Sequence, residues 1–375
     1  MVEETFAVVT GGGTSGHVLP ALAVADALTD AGHPPSTIRY IGTDRGIETR
    51  LLPETPYRST FLDVVGFQRA LTKRNVAFVP KMLTATRRVV AMFRADRPSV
   101  VVSVGGYASM PAVFAAARLG IPVVVVSYDR TPGRASQLAA RRAAACAVSF
   151  EGSALPRAEL TGAPVRRSIL EVDRGEDGRA AARRQLGVHD DRFLVTVMGG
   201  SLGSGVLNTA VENFLREHVD DAGLAVRQIA GERFVDGVAR FGDSSGDAAG
   251  VQHQVVGYEA DMPAVYAASD LLIGRGGAST VHEVAVTGTP AILVPWAQSA
   301  DDHQSDNVRW LSEVGGAVLL AEPELSSLGE VIGRLRSETG ERERLAEAAA
   351  QRGAIHRSDA LAALIERVAV TSSSP

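Results

Sequence analysis

One cysteine, Cys146, stands in 375 residues, so a disulfide framework and a cysteine-rich metal site are both excluded. It lies in the apolar segment 144–148 and reads as inert core. Aromatic residues make up only 5% of the chain against 45% hydrophobic residues and 38 glycines. That balance fits an Ala/Val-rich α/β protein with many tight strand-to-helix turns. No apolar run approaches the roughly 18 residues of a membrane span, and the densest, 121–126, reads as a buried strand. Positive charge is not in excess: the formal net charge of -5 argues against general nucleic-acid binding. No basic and apolar leader is visible either, because Glu3 and Glu4 run straight into a strand. A cytoplasmic placement is therefore expected.

The length is about twice that of a typical domain, which predicts two. The first strand, 6–10, runs into Gly11-Gly12-Gly13-Thr14-Ser15-Gly16-His17. This satisfies the G-x-G-x-x-G pattern of a dinucleotide-binding turn, with Asp44 after the second strand, 39–41, as the candidate ribose acid. That reading leaves unexplained the titratable ring of His17 beside the loop and Pro20 in the first turn of an expected helix, 19–28. A histidine there can bind phosphate, act as a general base, or be a hydrogen-bonded structural residue. A second glycine turn, Gly105-Gly106-Tyr107, follows the strand 100–104. Strands at 122–126 and 144–148 continue the half, with a turn at Thr131-Pro132-Gly133.

Between Gly66 and Pro98 the acidic balance reverses. Arg69, Lys73, Arg74, Lys81, Arg87, Arg88, Arg94 and Arg97 stand against one acid, Asp96. Leu83, Thr86, Val90 and Phe93 fall among them at helical spacing, with Phe67, Phe78 and Met82 nearby. Such a surface suits an anionic membrane or a lipid-linked pyrophosphate. The alternative is a buried helix face with solvated arginines on its back.

The segment 171–184, charged and poorly apolar, reads as an interdomain connection with a short helix. Then the pattern restarts: the strand 193–198 ends in Gly199-Gly200-Ser201-Leu202-Gly203-Ser204, which can offer amides and the Ser201 hydroxyl to phosphate. Strands follow at 225–230, 252–256, 271–273, 291–294 and 317–320, with an exposed turn at 242–250. The most informative stretch runs from Asp270 through Gly274-Arg275-Gly276-Gly277-Ala278-Ser279-Thr280-Val281-His282-Glu283. A short apolar run breaks into glycines and restarts as a helix, whose first amides carry a partial positive charge suited to a diphosphate. Glu283, a turn further in, is placed either to accept two sugar hydroxyls or simply to be solvated. Past Pro295, Gln304 and Asn307 suit hydroxyl recognition, while Asp301, Asp302 and His303 suggest N-capping more than a metal. The expected architecture is α/β: two Rossmann-like domains with parallel sheets facing across a cleft. Their expected spans are 1–166 and 167–345, with C-terminal helices in 346–375 packing back on the first and a disordered end at 371–375.

These pieces in order, together with Thr161-Gly162-Ala163-Pro164-Val165-Arg166 and Asp302-His303-Gln304, resemble the GT-B glycosyltransferases of family 28. The resemblance covers almost the whole chain. It implies an inverting transfer of N-acetylglucosamine from UDP-N-acetylglucosamine to an undecaprenyl-diphosphate-linked muramyl pentapeptide, with no metal and no cofactor. The expected placement is peripheral, on the cytoplasmic face of the cell membrane, with the basic region 66–98 as the expected contact with an anionic membrane surface. By the same resemblance Glu283 holds the ribose, and Ser201, Ala278, Ser279 and Thr280, flanked by Val281 and His282, hold the diphosphate and nearby groups. Arg166 contacts the donor and Gln304 the N-acetylglucosamine hydroxyls. Thr14, Ser15, Gly16 and His17 sit on the acceptor side near the reacting centre, with His17 as the base.

Several positions depart from the family pattern. Val126-Ser127-Tyr128-Asp129 replaces the usual His-Glu-Gln-Asn, so a carboxylate, Asp129, stands for a substrate-binding amide and becomes a second candidate base. Glu259 replaces an apolar residue beside the uracil pocket, and Leu202 and Ser204 replace Gln and Ala. Four activities are thus to be separated: this transfer, a related transferase or UDP-N-acetylglucosamine 2-epimerase, a non-catalytic nucleotide-sugar-binding protein, and an NAD-dependent dehydrogenase.

Overall fold

The computed structural model describes residues 4–13, 15–66, 73–243, 245, 249–299 and 302–371, with Ser15 and residues 73–77 as backbone. Thr14, Phe67, Arg69, Ala300, Asp301, part of the turn at 242–250 and the end at 372–375 lie outside the described residues, as do the side chains of Ser15, Lys73 and Arg74. The chain divides into two units, 1–166 with 355–375, and 167–354.

In the first unit, strands β1 (Ala7–Thr10), β2 (Ile38–Thr43), β3 (Arg58–Leu62), β4 (Val100–Ser103), β5 (Val123–Ser127), β6 (Ala145–Val148) and β7 (Ala158–Leu160) form one parallel sheet. Their order is β3-β2-β1-β4-β5-β6-β7. The central strands read Ala-Val-Val-Thr, Val-Val-Val-Ser and Val-Val-Val-Val-Ser and are buried throughout, because helices cover both faces of a parallel sheet. The strand order reverses between β1 and β4. The turns leaving both strands are the two glycine loops, which open at the strands' C-terminal ends where α/β folds bind ligands. The helices are α1 (Ser15–Asp30), α2 (Glu48–Leu51), α3 (Lys73–Ala95), α4 (Met110–Leu119) and α5 (Arg134–Ala140).

Two details differ from expectation. Helix α1 begins at Ser15, so Pro20 sits inside it rather than in its first turn. Proline has no N–H, and the Gly16 carbonyl four residues earlier therefore loses its helical donor. The Tyr128 hydroxyl donates to it instead. On α3 the buried stripe is Met82, Ala85, Val89, Val90 and Phe93, packed against α4, whereas Leu83 points to solvent and is 53% exposed. Leu83 falls off the line on which the others recur every three to four residues.

In the second unit come α6 (Arg167–Leu170), α7 (Glu176–Leu186), β8 (Phe193–Met198), α8 (Gly205–Glu217), β9 (Leu224–Ile229), β10 (Gln252–Val256), α9 (Met262–Ala268) and β11 (Leu271–Arg275). Then follow α10 (Ala278–Thr287), β12 (Ala291–Val294), α11 (His303–Ser312), β13 (Val318–Leu319), α12 (Leu328–Ser337) and α13 (Thr339–Gly353). The parallel sheet runs β10-β9-β8-β11-β12-β13, so the switch point lies between β8 and β11. Residues 171–184, expected as a connection, are instead integrated into this unit: α7 packs on α9, and Arg179 and Arg183 clasp the Asp270 carboxylate at 2.7 and 2.5 Å. Arg174 donates to the carbonyl of Ser269 and the hydroxyl of Thr289. These arginines satisfy carbonyls and a buried acid, which is why the segment is charged yet ordered. Helix α13 packs along α10 in this unit, and only α14 (Ala360–Thr371) belongs to the first, against α1, β4 and β6. There His33 meets Glu366 at 2.9 Å.

Candidate active site

In the first unit the β1 and β4 turns enclose His17. The ring lies directly beneath the second glycine turn: a Cβ on Gly105 would stand 3.2 Å from His17 Cδ2, and one on Gly106 3.5 Å from its Cγ. The Tyr128 ring meets it edge-on, with centroids 6.5 Å apart. Burial lowers the His17 pKa below the ordinary imidazole value, and the negative charges of Asp129 and Glu48 partly offset the fall. The ring is thus neutral at pH 7, and two carboxylates lie near enough to stabilise the cation that forms when it takes a proton. Asp129, just past β5, is half-buried. Gly16 presents its carbonyl to Tyr128, as described above.

Glu48 is the residue that sequence reasoning missed. It is fully buried at the start of α2, and its Oε1 accepts the Gly13 N–H at 3.1 Å, the Thr43 N–H at 3.1 Å and the Thr43 hydroxyl at 2.7 Å. Nothing in Gly46-Ile47-Glu48-Thr49-Arg50 signals burial; only the neighbouring of β2 and β1 in the sheet brings this acid to the turn. It also answers the dinucleotide reading. An amide that would greet a pyrophosphate already serves a carboxylate, whose charge repels phosphate. Asp44, the expected ribose acid, is exposed and pairs with Arg45 at 3.4 Å.

In the second unit the expected site residues gather at the turn between β11 and α10. Gly277 precedes the helix in extended conformation, and Val281 N–H closes the first intrahelical bond on the Gly277 carbonyl at 3.0 Å. The amides of Ala278, Ser279 and Thr280 consequently have no intrahelical partner. Ser279 and Glu283, four residues apart, form the half-exposed face of α10, while Val281 and His282 turn into the interior. His282 lies edge-on to Trp310, centroids 5.4 Å apart. Tyr266 Oη donates to Glu283 Oε2 at 2.8 Å and so orients the carboxylate.

Gln304, one residue inside α11, accepts the Trp296 N–H on Oε1 at 2.9 Å, which leaves its amide hydrogens pointing outward from that bond. Asn307, expected to read hydroxyls, is buried and donates to the Gly276 carbonyl at 3.3 Å. Asp302 precedes α11 with φ 53° and accepts the Ser305 hydroxyl at 2.6 Å rather than a backbone amide. Helix α11 approaches so closely that a Cβ on Gly276 would stand 2.7 Å from the Gln304 carbonyl and 2.6 Å from Val308 Cγ2. Gly276→Ala is therefore expected to destabilise the chain by about 1–3 kcal/mol. A lowered thermal midpoint checks it; an unchanged midpoint contradicts the close approach.

The remaining expected residues lie elsewhere in the two units. Ser201 is exposed in the loop after β8, and the buried hydroxyl nearby is that of Ser204, which caps α8 and accepts Arg275 Nη2 at 2.7 Å. Arg275 also binds Glu322 at 2.6 Å, and Glu322 accepts the Ala297 N–H at 3.1 Å, so one buried guanidinium ties three loops together. Glu259 is held by Arg227 Nε and Nη2 at 2.9 and 2.6 Å, which compensates its carboxylate. Arg166 is half-buried at the end of the first unit. Among the described residues no three His, Cys, Asp or Glu side chains converge as a metal site.

Known proteins align with both units. Residues 7–148 match the glycosyltransferase family 28 N-terminal domain, and residues 194–363 the C-terminal domain of the same family. A relative from Clavibacter sepedonicus is 38% identical over 356 residues, covering 93% of this chain and 92% of its own length. It is named UDP-N-acetylglucosamine--N-acetylmuramyl-(pentapeptide) pyrophosphoryl-undecaprenol N-acetylglucosamine transferase. The crystal structure of MurG from Acinetobacter baumannii superposes with a TM-score of 0.69 at 25% identity, over 98% of this chain and 99% of that one. UDP-GlcNAc 2-epimerase from Neisseria meningitidis, solved with UDP-GlcNAc bound, reaches a TM-score of 0.67 over 98% of this chain and all of its own, but at 14% identity it shares the fold alone. With both domain models matched in order, two parallel sheets in nucleotide-binding strand order and a relative of this identity along nearly its whole length, the chain belongs to glycosyltransferase family 28 and has the GT-B fold.

Proposed function

We propose that this enzyme transfers N-acetylglucosamine from UDP-N-acetylglucosamine to a muramyl pentapeptide carried on undecaprenyl diphosphate, converting lipid I to lipid II in peptidoglycan synthesis. The observation that carries this is the 38% identity, sustained over 93% of the chain, to a transferase of that name. The donor half of the chemistry is intact in the second unit. The diphosphate lies against the amides of Ala278, Ser279 and Thr280, the ribose against Glu283, and the hexose hydroxyls against Gln304, with Arg166 and Ser201 supporting the donor. The acceptor hydroxyl attacks the anomeric carbon as the bond to the diphosphate breaks, inverting that centre. Its proton passes to His17, and the departing charge is met by the α10 amides, so the protein contributes alignment and preorganised charge. Asp129 stabilises the imidazolium and is the alternative base. Thr14, Ser15 and Gly16 frame the acceptor.

Radiolabelled UDP-N-acetylglucosamine incubated with the lipid-linked acceptor tests this, with lipid-free controls. Label entering the lipid phase is the expected result. Label changed without acceptor would mean epimerisation, and saturable UDP binding without transfer would mean a binding protein.

No helix among the described residues is long and apolar enough to cross a membrane. The reading places the enzyme peripherally on the cytoplasmic face, held through α3. There Val79 and Leu83 are 58% and 53% exposed beside Arg87 and Arg88, whereas Lys81 is neutralised by Asp63 at 2.7 Å. The chain is expected to sediment with phosphatidylglycerol vesicles and to detach in salt, and Arg87→Ser to bind about fivefold more weakly. Equal binding to neutral phosphatidylcholine vesicles would remove the charge-based part of the reading.

A further inference from the structure

We infer that Glu48 is a positioning residue for transfer: its buried carboxylate fixes the glycine turn that carries His17 and supplies the counter-charge when that ring takes the acceptor's proton. The inference rests on the reading of His17 as base and extends it to a residue outside the motifs. Glu48 joins β2 to the turn through the Gly13 amide, and the turn is shaped around it. A Cβ on Gly12 would stand 2.6 Å from Oε1, and one on Gly46 2.6 Å from Oε2. Three donors converge on Oε1, while Oε2, equally buried, has no hydrogen-bond partner among the described residues. A purely structural acid in the core would be satisfied at both oxygens or replaced by an amide, because an unpartnered buried charge is costly.

A half-satisfied carboxylate beside a reacting centre has a use: it makes the cation formed there less costly. Among the described residues, the titratable groups shown against His17 and its turn are Glu48 from α2, Tyr40 from β2, whose hydroxyl donates to the Gly11 carbonyl at 2.6 Å, Tyr128 and Asp129 from the end of β5, and Tyr107 from the β4 turn, whose ring would meet a Cβ on Gly13 at 2.8 Å. Burial raises the phenols of Tyr40, Tyr107 and Tyr128 above their ordinary range, so all three stay neutral and the charge on these groups is that of the two carboxylates.

The test is Glu48→Gln, which keeps the shape and the Oε1 acceptor but removes the charge. The His17 ring titration is read by NMR on the substrate-free full chain, and turnover is read separately. The His17 midpoint is expected to fall by about half a unit. The acidic limb of the rate profile should follow it downward, and kcat should drop about tenfold with KM for UDP-N-acetylglucosamine unchanged. Thr43→Val removes a donor to Oε1 and keeps the charge, so its titration should stay near the wild-type midpoint. An unmoved midpoint in Glu48→Gln, or an equal shift in Thr43→Val, overturns the inference. Should Glu48→Gln not fold, Glu48→Asp is expected to shift the midpoint in the same direction by less, and no shift there overturns it. Failure of His17 as base appears elsewhere, as retained turnover in His17→Ala, and leaves the titration result standing.

Discussion

His17→Ala is expected to lower kcat by about two to four orders of magnitude, the usual span for loss of a positioned general base. The stability of the fold and the affinity for UDP should change little, because the ring contacts glycine turns of the first unit and the groups proposed to bind the nucleotide belong to the second. The pH dependence gives the assignment its sharper test. Burial depresses the His17 pKa, so the neutral, proton-accepting ring persists below the ordinary imidazole midpoint. The acidic limb of kcat/KM should accordingly lie below the roughly 6.5 of a free histidine, with activity falling only as pH drops through the depressed value. In His17→Ala that limb should disappear along with the rate. Near-normal turnover with the limb in place would transfer the role to Asp129, and Asp129→Asn, which restores the amide usual in the family, would then be the variant that loses it.

Glu283→Ala is expected to act on binding instead. A hydrogen bond to a charged group contributes about 1.5–3 kcal/mol, which corresponds to a rise in KM for UDP-N-acetylglucosamine of about 10- to 150-fold. On the proposed reading Glu283 holds the ribose alike before and during transfer, so kcat should change much less than KM. Tyr266 supplies an internal control. Its hydroxyl donates to Glu283 Oε2, so Tyr266→Phe should loosen the carboxylate without removing it and raise KM only a few-fold. Calorimetry with UDP alone checks the assignment without any acceptor. If Glu283→Ala bound UDP as the parent does, the ribose would have to be held elsewhere.

How much of this was visible in the residues themselves depends on where each element lies in its sheet. Strands such as β4 and β5 are buried on both faces and carry unbroken valine runs, so they could be read directly. Strands β3 and β7 sit at the two edges of the first sheet, where Arg58-Ser59-Thr60 and Ala158-Glu159-Leu160 suffice, and no apolar run marks them. The α10 turn was legible because its chemistry is local: two glycines, a helix start and Glu283 one turn on. Glu48 and Tyr266 were not, since each meets its partner through the packing of separate elements. The inward contacts of Asn307 and His282 were hidden for the same reason. Polar side chains at ligand-like spacing were turned inward, one to hold a carbonyl and the other to pack on tryptophan.

Pro20 reaches further than its own helix. By withholding a donor from Gly16 it obliges the Tyr128 phenol to serve the start of α1, and so couples the departure at Ser127-Tyr128-Asp129 to the segment bearing His17. Tyr128→Phe would strip the Gly16 oxygen of the only donor shown for it among the described residues. A change made in the loop after β5 is therefore felt at the first turn of α1, the segment that carries His17.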